Sequence, residues 1–249
     1  MAGVRAVVLA AGRGVRMGGG LVPKTLLPMG DEEPLLSYIL RGLHSAGIHD
    51  LMIVTGHGRE HVEKYVNENW RGDKPAFVFN ARFASWGNFH SVRVALDQSP
   101  GNDVMVVNSD VVVASDVYAR VAEAEGDLVL AVEKRMRLDA EDMRVQLQGR
   151  KVLAIGKGLP MGLSHGEYAG VSLLRPDAAR AYLHVATETE WRSATKIYYE
   201  DVYGAMIPLV RVTAATVREG EYAEVDEPSN VPDAIKVIAT HQGSWTASA

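Results

Sequence analysis

Short apolar runs alternate with stripes of helical spacing along most of the chain, and this rhythm predicts an α/β protein. Residues 4–9 are an almost unbroken apolar run holding three valines, as expected of a buried strand near the N-terminus. Residues 34–46 place apolar side chains at 35, 36, 39, 40 and 43, a helical stripe that stops at Gly47. Further strands are expected over 51–55, 76–79, 103–107, 127–133, 168–174 and 211–217, and a hairpin pairs 144–147 with 152–155. Helices are expected over 60–69, after Asn88 with Val92 and Leu96 inward, from Ser115-Asp116, over 176–186, after Glu200-Asp201, and over 229–241. From Gln242 the small, polar tail is expected to fray. Strands alternating with helices in this way predict a three-layer, Rossmann-like, mixed but mostly parallel sheet with helices on both faces. Ligands of such sheets gather beyond the carboxyl ends of the strands.

Composition narrows the picture. A chain of 249 residues, 47% hydrophobic, suits one domain with a sizeable core, and no linker or repeat divides it. The absence of cysteine removes disulfides and thiolate metal sites. A net charge of −5 argues against a nucleic-acid surface, and the lack of a long apolar run leaves a soluble, cytoplasmic, non-membrane protein as the expectation.

Against that acidic background the loop after the first run stands out. Ala10-Ala11-Gly12 lead into Arg13, Gly14 and Arg16, then Gly18-Gly19-Gly20 and Pro23-Lys24, with no acid among them. Glycines allow backbone amides to turn toward an anion, and the spaced cations suit a polyphosphate. A dinucleotide fingerprint is weakened because Met17 fills the position that must be small, and a Walker loop fails because Pro23 precedes Lys24. A second candidate is Asp110, which follows a buried strand through Asn108-Ser109 and could meet a metal at the ligand edge or simply cap a turn.

The stretch Leu9, Ala10, Ala11, Gly12, Gly14, Arg16, Met17, Pro23, Lys24 resembles the signature of nucleotidyltransferases with a glycosyltransferase-A-like fold, although Val15 replaces the usual hydroxyl residue. Phe79, Asn80, Phe83, Asn88 and Ser91 resemble a segment of bacterial phosphocholine cytidylyltransferases. Residues 143–159 resemble inositol-1-phosphate cytidylyltransferases, and phosphonate cytidylyltransferases complete the group. The resemblance implies CTP as nucleotide, with Arg13, Arg16 and Lys24 stabilising its phosphates. Leu9, Ala10, Ala11, Gly12, Gly14, Asn80, Asn88, Ser91 and Ser109 would line its site, although Asn88 or Ser91 could equally be only a helix cap. It implies Mg2+ held by Asp110 and Asp226, the latter in Glu224-Val225-Asp226-Glu227-Pro228, where Glu224 and Glu227 compete for the role. It divides the chain into a nucleotide half (1–112) and an acceptor half (113–241), with a homodimer possible.

On the acceptor side the resemblance points to Tyr168, Gly170 and Asp201, and Arg144 takes a place where the phosphocholine enzymes have aromatic rings. A guanidinium there repels an ammonium, so the expectation is an anionic phosphate or phosphonate acceptor. Attack of its ionised oxygen on the α-phosphorus would need no general base. Three alternatives stay open: a sugar-1-phosphate nucleotidyltransferase using UTP, GTP or dTTP, a nucleotide-binding domain without turnover, and an oxidoreductase. The scattered histidines, including His57 and His61, lack a ligand pattern and read as surface or packing residues.

Overall fold

The computed structural model describes residues 3–14, 20, 22–29, 33–135 and 138–246. Strand β1 (Val4–Ala10) is buried on both faces apart from Arg5, which is why it reads as a run and not as an alternation. Two short pieces, β2 (Pro28–Met29) and β3 (Glu33–Pro34), pair with each other and lead into α1 (Leu35–Ser45). Then follow β4 (Asp50–Thr55), α2 (Arg59–Asn69), β5 (Ala76–Phe79) and α3 (Phe89–Asp97). The middle of the chain gives β6 (Asp103–Asn108), β7 (Val111–Val113), α4 (Ser115–Glu123) and β8 (Leu128–Glu133). A hairpin of β9 (Arg144–Gln148) and β10 (Lys151–Ile155) precedes β11 (Gly166–Leu174), α5 (Pro176–Trp191) and α6 (Tyr199–Met206). The chain closes with β12 (Val212–Val217), β13 (Tyr222–Glu224) and α7 (Val231–Thr240).

Among the described residues nine strands form one sheet in the order β5-β4-β1-β6-β11-β8-β12-β10-β9, and β13 pairs separately with β7. The first four strands are parallel, whereas β11 runs antiparallel to both its neighbours. Register aligns the working ends: Leu9 lies beside Asn108, Ala10 beside Thr55, and Glu167 beside Glu133. One edge of the sheet therefore collects the loop after β1, the turn after β6 and the start of β11.

Alternate residues of β1 feed two cores. Ala6, Val8 and Ala10 pack with α1, α2, α4 and α7, while Val7 and Leu9 pack with α3, α5 and α6. This is the three-layer arrangement expected from the pattern. No helix among the described residues is long and apolar enough to cross a membrane.

Three elements depart from expectation. Helix α5 runs past 186 to Trp191, and in its added turn the hydroxyls of Thr187 and Thr189 donate back to the carbonyls of Leu183 and Val185. Glu200 and Asp201 lie inside the first turn of α6, not before it. The tail does not fray through 246: Trp245 is 8% exposed, stands edge-on to Tyr38 at 5.6 Å and donates to the Ile238 carbonyl. Burying a large apolar side chain contributes on the order of 1.5–3 kcal/mol, enough to hold a short polar segment in place.

Candidate active site

The loop after β1 leaves the sheet through buried Ala11 and exposed Gly12 and Arg13. Gly14 has φ +58°, and a Cβ there would come within 2.8 Å of Lys24 Cβ, so only glycine lets the loop pass this close to the lysine. Lys24 opens a short 3-10 turn, Lys24–Leu26. Its Nζ lies 2.6 Å from Asp226 Oδ1 and 3.2 Å from Asp110 Oδ2. Arg16 lies outside the described residues. Arg13 is exposed, its guanidinium 6.0 Å from the centre of the Phe83 ring.

The two aspartates meet through the β7–β13 ribbon. Val111 pairs with Glu224, and the Val225 amide donates to the Asp110 carbonyl at 2.8 Å. The Asn230 side chain accepts from the amides of Asp226 and Glu227, fixing the turn that carries the second acid. Asp110, Glu224 and Asp226 each offer a carboxylate oxygen, all within 4.8 Å of one another, and Asp110 Oδ1 is buried without a hydrogen-bond partner among the described residues. Burial, reinforced by the charges of Asp110 and Asp226, holds the Glu224 carboxyl well above the ordinary range. An all-oxygen, multiply acidic set with an unsatisfied oxygen fits a hard divalent cation. Glu227, the other competitor in sequence, is exposed.

A cleft of about 270 Å3 joins these groups. Leu9, Ala10, Ala11, Gly12 and Gly14 form one wall, with Lys24 at its end. Asn88 and Ser91 at the start of α3, with Ser109 and Asp110 after β6, complete its lining. Asn80 is a correction: its side chain is 1% exposed, donates to Ser91 Oγ at 2.9 Å and accepts from the Arg82 amide, so it orients Ser91 instead of lining the cleft. Asn88 holds the N-cap position of α3 without a side-chain capping bond, because its Oδ1 accepts instead from the Tyr199 amide and ties α3 to α6. Two lining residues had no signal of their own in the sequence. Asn108 Oδ1 accepts from the Tyr199 hydroxyl, and Thr25 presents a buried hydroxyl with no partner.

The acceptor-side expectations fare differently. Arg144 is 6% exposed and every donor nitrogen is committed to main chain. Its Nε donates to the Leu159 carbonyl, Nη1 to those of Asp139 and Ala140, and Nη2 to that of Lys157. It organises two loops and presents no charge to a ligand. Asp201 is exposed and accepts from the Tyr198 amide at 2.8 Å, serving as the helix's own cap. Tyr168 is buried, its hydroxyl 3.1 Å from that of Tyr199, and burial pushes both phenols upward. Gly170, with φ +70°, packs where a Cβ would meet Asn108 and Val111 at 3.0 Å, a supporting position under the cleft.

What adjoins Asp226 on that side is an open groove of about 1220 Å3. Its walls carry many acids, among them Asp139, Glu219 and Asp233, and its cations among the described residues are Lys134, Arg135 and Lys236. Glu133 and Glu167 face each other across β8 and β11, each 5% exposed. Arg135 lies against both: Nε donates to Glu133, and Nη1 sits 2.6 Å from Glu167 Oε2 in an ion pair without hydrogen-bond alignment. Burial pushes the Glu167 carboxyl up to about 7 even beside that guanidinium.

Comparison with known proteins shows which family the chain resembles. The profile of the MobA-like NTP transferase domain matches residues 6–199. The CMP-5'-(3-aminopropyl)phosphonate synthase of Streptomyces rubellomurinus is 36% identical over 139 residues, 54% of this chain and 21% of that protein. The choline-phosphate cytidylyltransferase of Streptococcus pneumoniae is 30% identical over 97 residues, 38% of this chain and 40% of that one. The chain spans about a fifth of the length of the first curated relatives it matches. The inositol-1-phosphate CTP transferase from T. maritima shares the fold, with a TM-score of 0.78 at 21% identity over 94% of this chain and 96% of that one.

Proposed function

We propose, for a chain that belongs to the MobA-like NTP transferase domain family, a transfer of CMP from CTP to a small phosphonate or phosphate that also carries an amino group. The carrying observation is Lys24 bridging Asp110 and Asp226 at the end of a glycine-lined cleft. The choice of CTP is supported by the cytidylyltransferases among the relatives. An amine-bearing acceptor is supported by the acidic groove beside Asp226 and by the withdrawal of Arg144 into main-chain contacts, which removes the guanidinium that would repel an ammonium.

In the proposed reaction an ionised acceptor oxygen forms a bond to the α-phosphorus of CTP. The bond from that phosphorus to the bridging oxygen of the β-phosphate breaks, and pyrophosphate leaves with the electron pair. No proton has to be removed, so no general base is assigned. Lys24 donates to the α-phosphate oxygens as charge builds, and Gly12 and Gly14 let the loop amides approach the outer phosphates. Arg13 and Arg16 add charge to the same grip. Asp110 and Asp226, with Glu224 beside them, would hold Mg2+, whose chemistry is to neutralise phosphate oxygens. Asn88 and Ser91 place hydrogen-bonding groups in the lining of the cleft, where the nucleoside would lie.

The test is pyrophosphate release with Mg2+ and each of CTP, UTP, GTP and dTTP, against aminoalkylphosphonates, phosphocholine, inositol phosphate and sugar phosphates. Release with CTP and an amine-bearing acceptor is expected. Release only with UTP or dTTP and a sugar phosphate would replace this reading.

A further inference from the structure

Two buried glutamates directly opposite one another on neighbouring strands repel, and such a pair needs a cation between or beside them. Glu133 and Glu167 are such a pair. In the free protein the cation is Arg135, whose guanidinium also lies over the face of Tyr222, 5.8 Å from the ring centre. Two carboxylates and one aromatic face make a complete seat for an alkylammonium. One guanidinium against two carboxylates still leaves the seat with surplus negative charge. The seat also opens toward the reaction centre, because Tyr222 belongs to the same short strand as Glu224 and its hydroxyl reaches to 3.5 Å from that carboxylate. A short alkyl chain could carry an amine along the ring while the phosphonate stayed near Asp226. Arg135 is 38% exposed at its side chain, whereas the two glutamates are not, so the plug can withdraw toward solvent and the seat stays in place.

We infer that Arg135 is a resident competitor: in the free protein its guanidinium fills the position the acceptor's ammonium takes, and binding requires it to leave. The inference rests on the amine-bearing acceptor of the proposed function. It makes Arg135 a specificity-determining residue, because an acceptor without a cation cannot displace it and compensate both glutamates. A seat filled about nine times in ten lowers the apparent affinity of its ligand about tenfold.

The experiment is calorimetric titration of the full chain, and of Arg135→Ala, Arg135→Gln and Glu167→Gln, with propylammonium. Steady-state KM values are taken in parallel for 3-aminopropylphosphonate and for propylphosphonate. Arg135→Ala is expected to bind propylammonium about tenfold more tightly and to lower KM for the aminophosphonate by a similar factor, with KM for propylphosphonate changed less than about twofold. Glu167→Gln is expected to weaken only the amine-bearing probes. Weaker binding of both phosphonates in Arg135→Ala would make Arg135 a phosphonate ligand and overturn the inference, as would no change in any probe. Loss of folding in both Arg135 variants would make the residue structural and overturn it too. If wild-type protein releases no pyrophosphate with any acceptor, the transferase reading fails, while the propylammonium comparison still decides the role of Arg135.

Discussion

The two sides of the proposed reaction centre are built on opposite plans. On the nucleotide side, strand ends, small residues and main-chain register do the positioning, and Lys24 faces its two acids across a narrow cleft. On the acceptor side, side chains from four separate segments meet in a broad groove with excess negative charge, and a guanidinium of the chain itself fills the buried part. Polyphosphate recognition is the same task for every acceptor, and rigid backbone answers it. The curated relatives are named for different acceptors, and exchangeable side chains at strand ends and in the adjoining loops answer that.

The sharpest break between the two plans is Lys24→Ala. Losing a charge donor of this kind costs about 2.7–4 kcal/mol of barrier, two to three decades in turnover, with the protein still folded. Pyrophosphate release together with a thermal midpoint checks both halves of that statement, and near-normal turnover would dissolve the contrast. Next in size is Arg144→Ala. It removes a buried charged donor from four main-chain carbonyls in half-buried and exposed loops, for a loss of about 1.5–3 kcal/mol of stability seen in denaturant unfolding. Its KM for an anionic acceptor should stay put; a large rise in KM with unchanged stability would return Arg144 to the ligand.

Asp201→Ala should cost about 1 kcal/mol through the lost cap of α6, again without an effect on acceptor KM. A further effect is a slope. Burial pushes the Glu200 carboxyl up to about 8, so the folded state keeps a proton that the unfolded chain releases near 4.5. Its contribution to stability is complete below pH 4.5 and is lost as pH rises through about 8. Glu200→Gln should flatten the fall of the unfolding midpoint across that window, and an unchanged slope would assign the pH dependence elsewhere.

How much of this was legible in the sequence follows from the same contrast. The parallel strands show as apolar runs ended by turn residues, so β1, β4, β5 and β6 and the loop they support could be read directly. Asp110 and Asp226 stood out as acids at strand ends, but Glu224 could not be told from Glu227 until its pairing with Val111 turned it inward. Arg144 looked like a free charge because nothing local in a sequence reveals that carbonyls near 140 and 158 converge on it. Glu133, Glu167 and Arg135 escaped notice for a related reason: their meeting depends on the antiparallel insertion of β11, which no spacing encodes. Trp245 is a lone aromatic in a polar tail, without periodicity to betray its burial.

The bond from the Val225 amide to the Asp110 carbonyl has one more implication. It yokes the turns bearing both aspartates to a single ribbon, so they travel as one part. Under the proposed reaction, loosening that ribbon would degrade cation affinity and transfer rate together, and a lesion that separates those two quantities has to lie elsewhere.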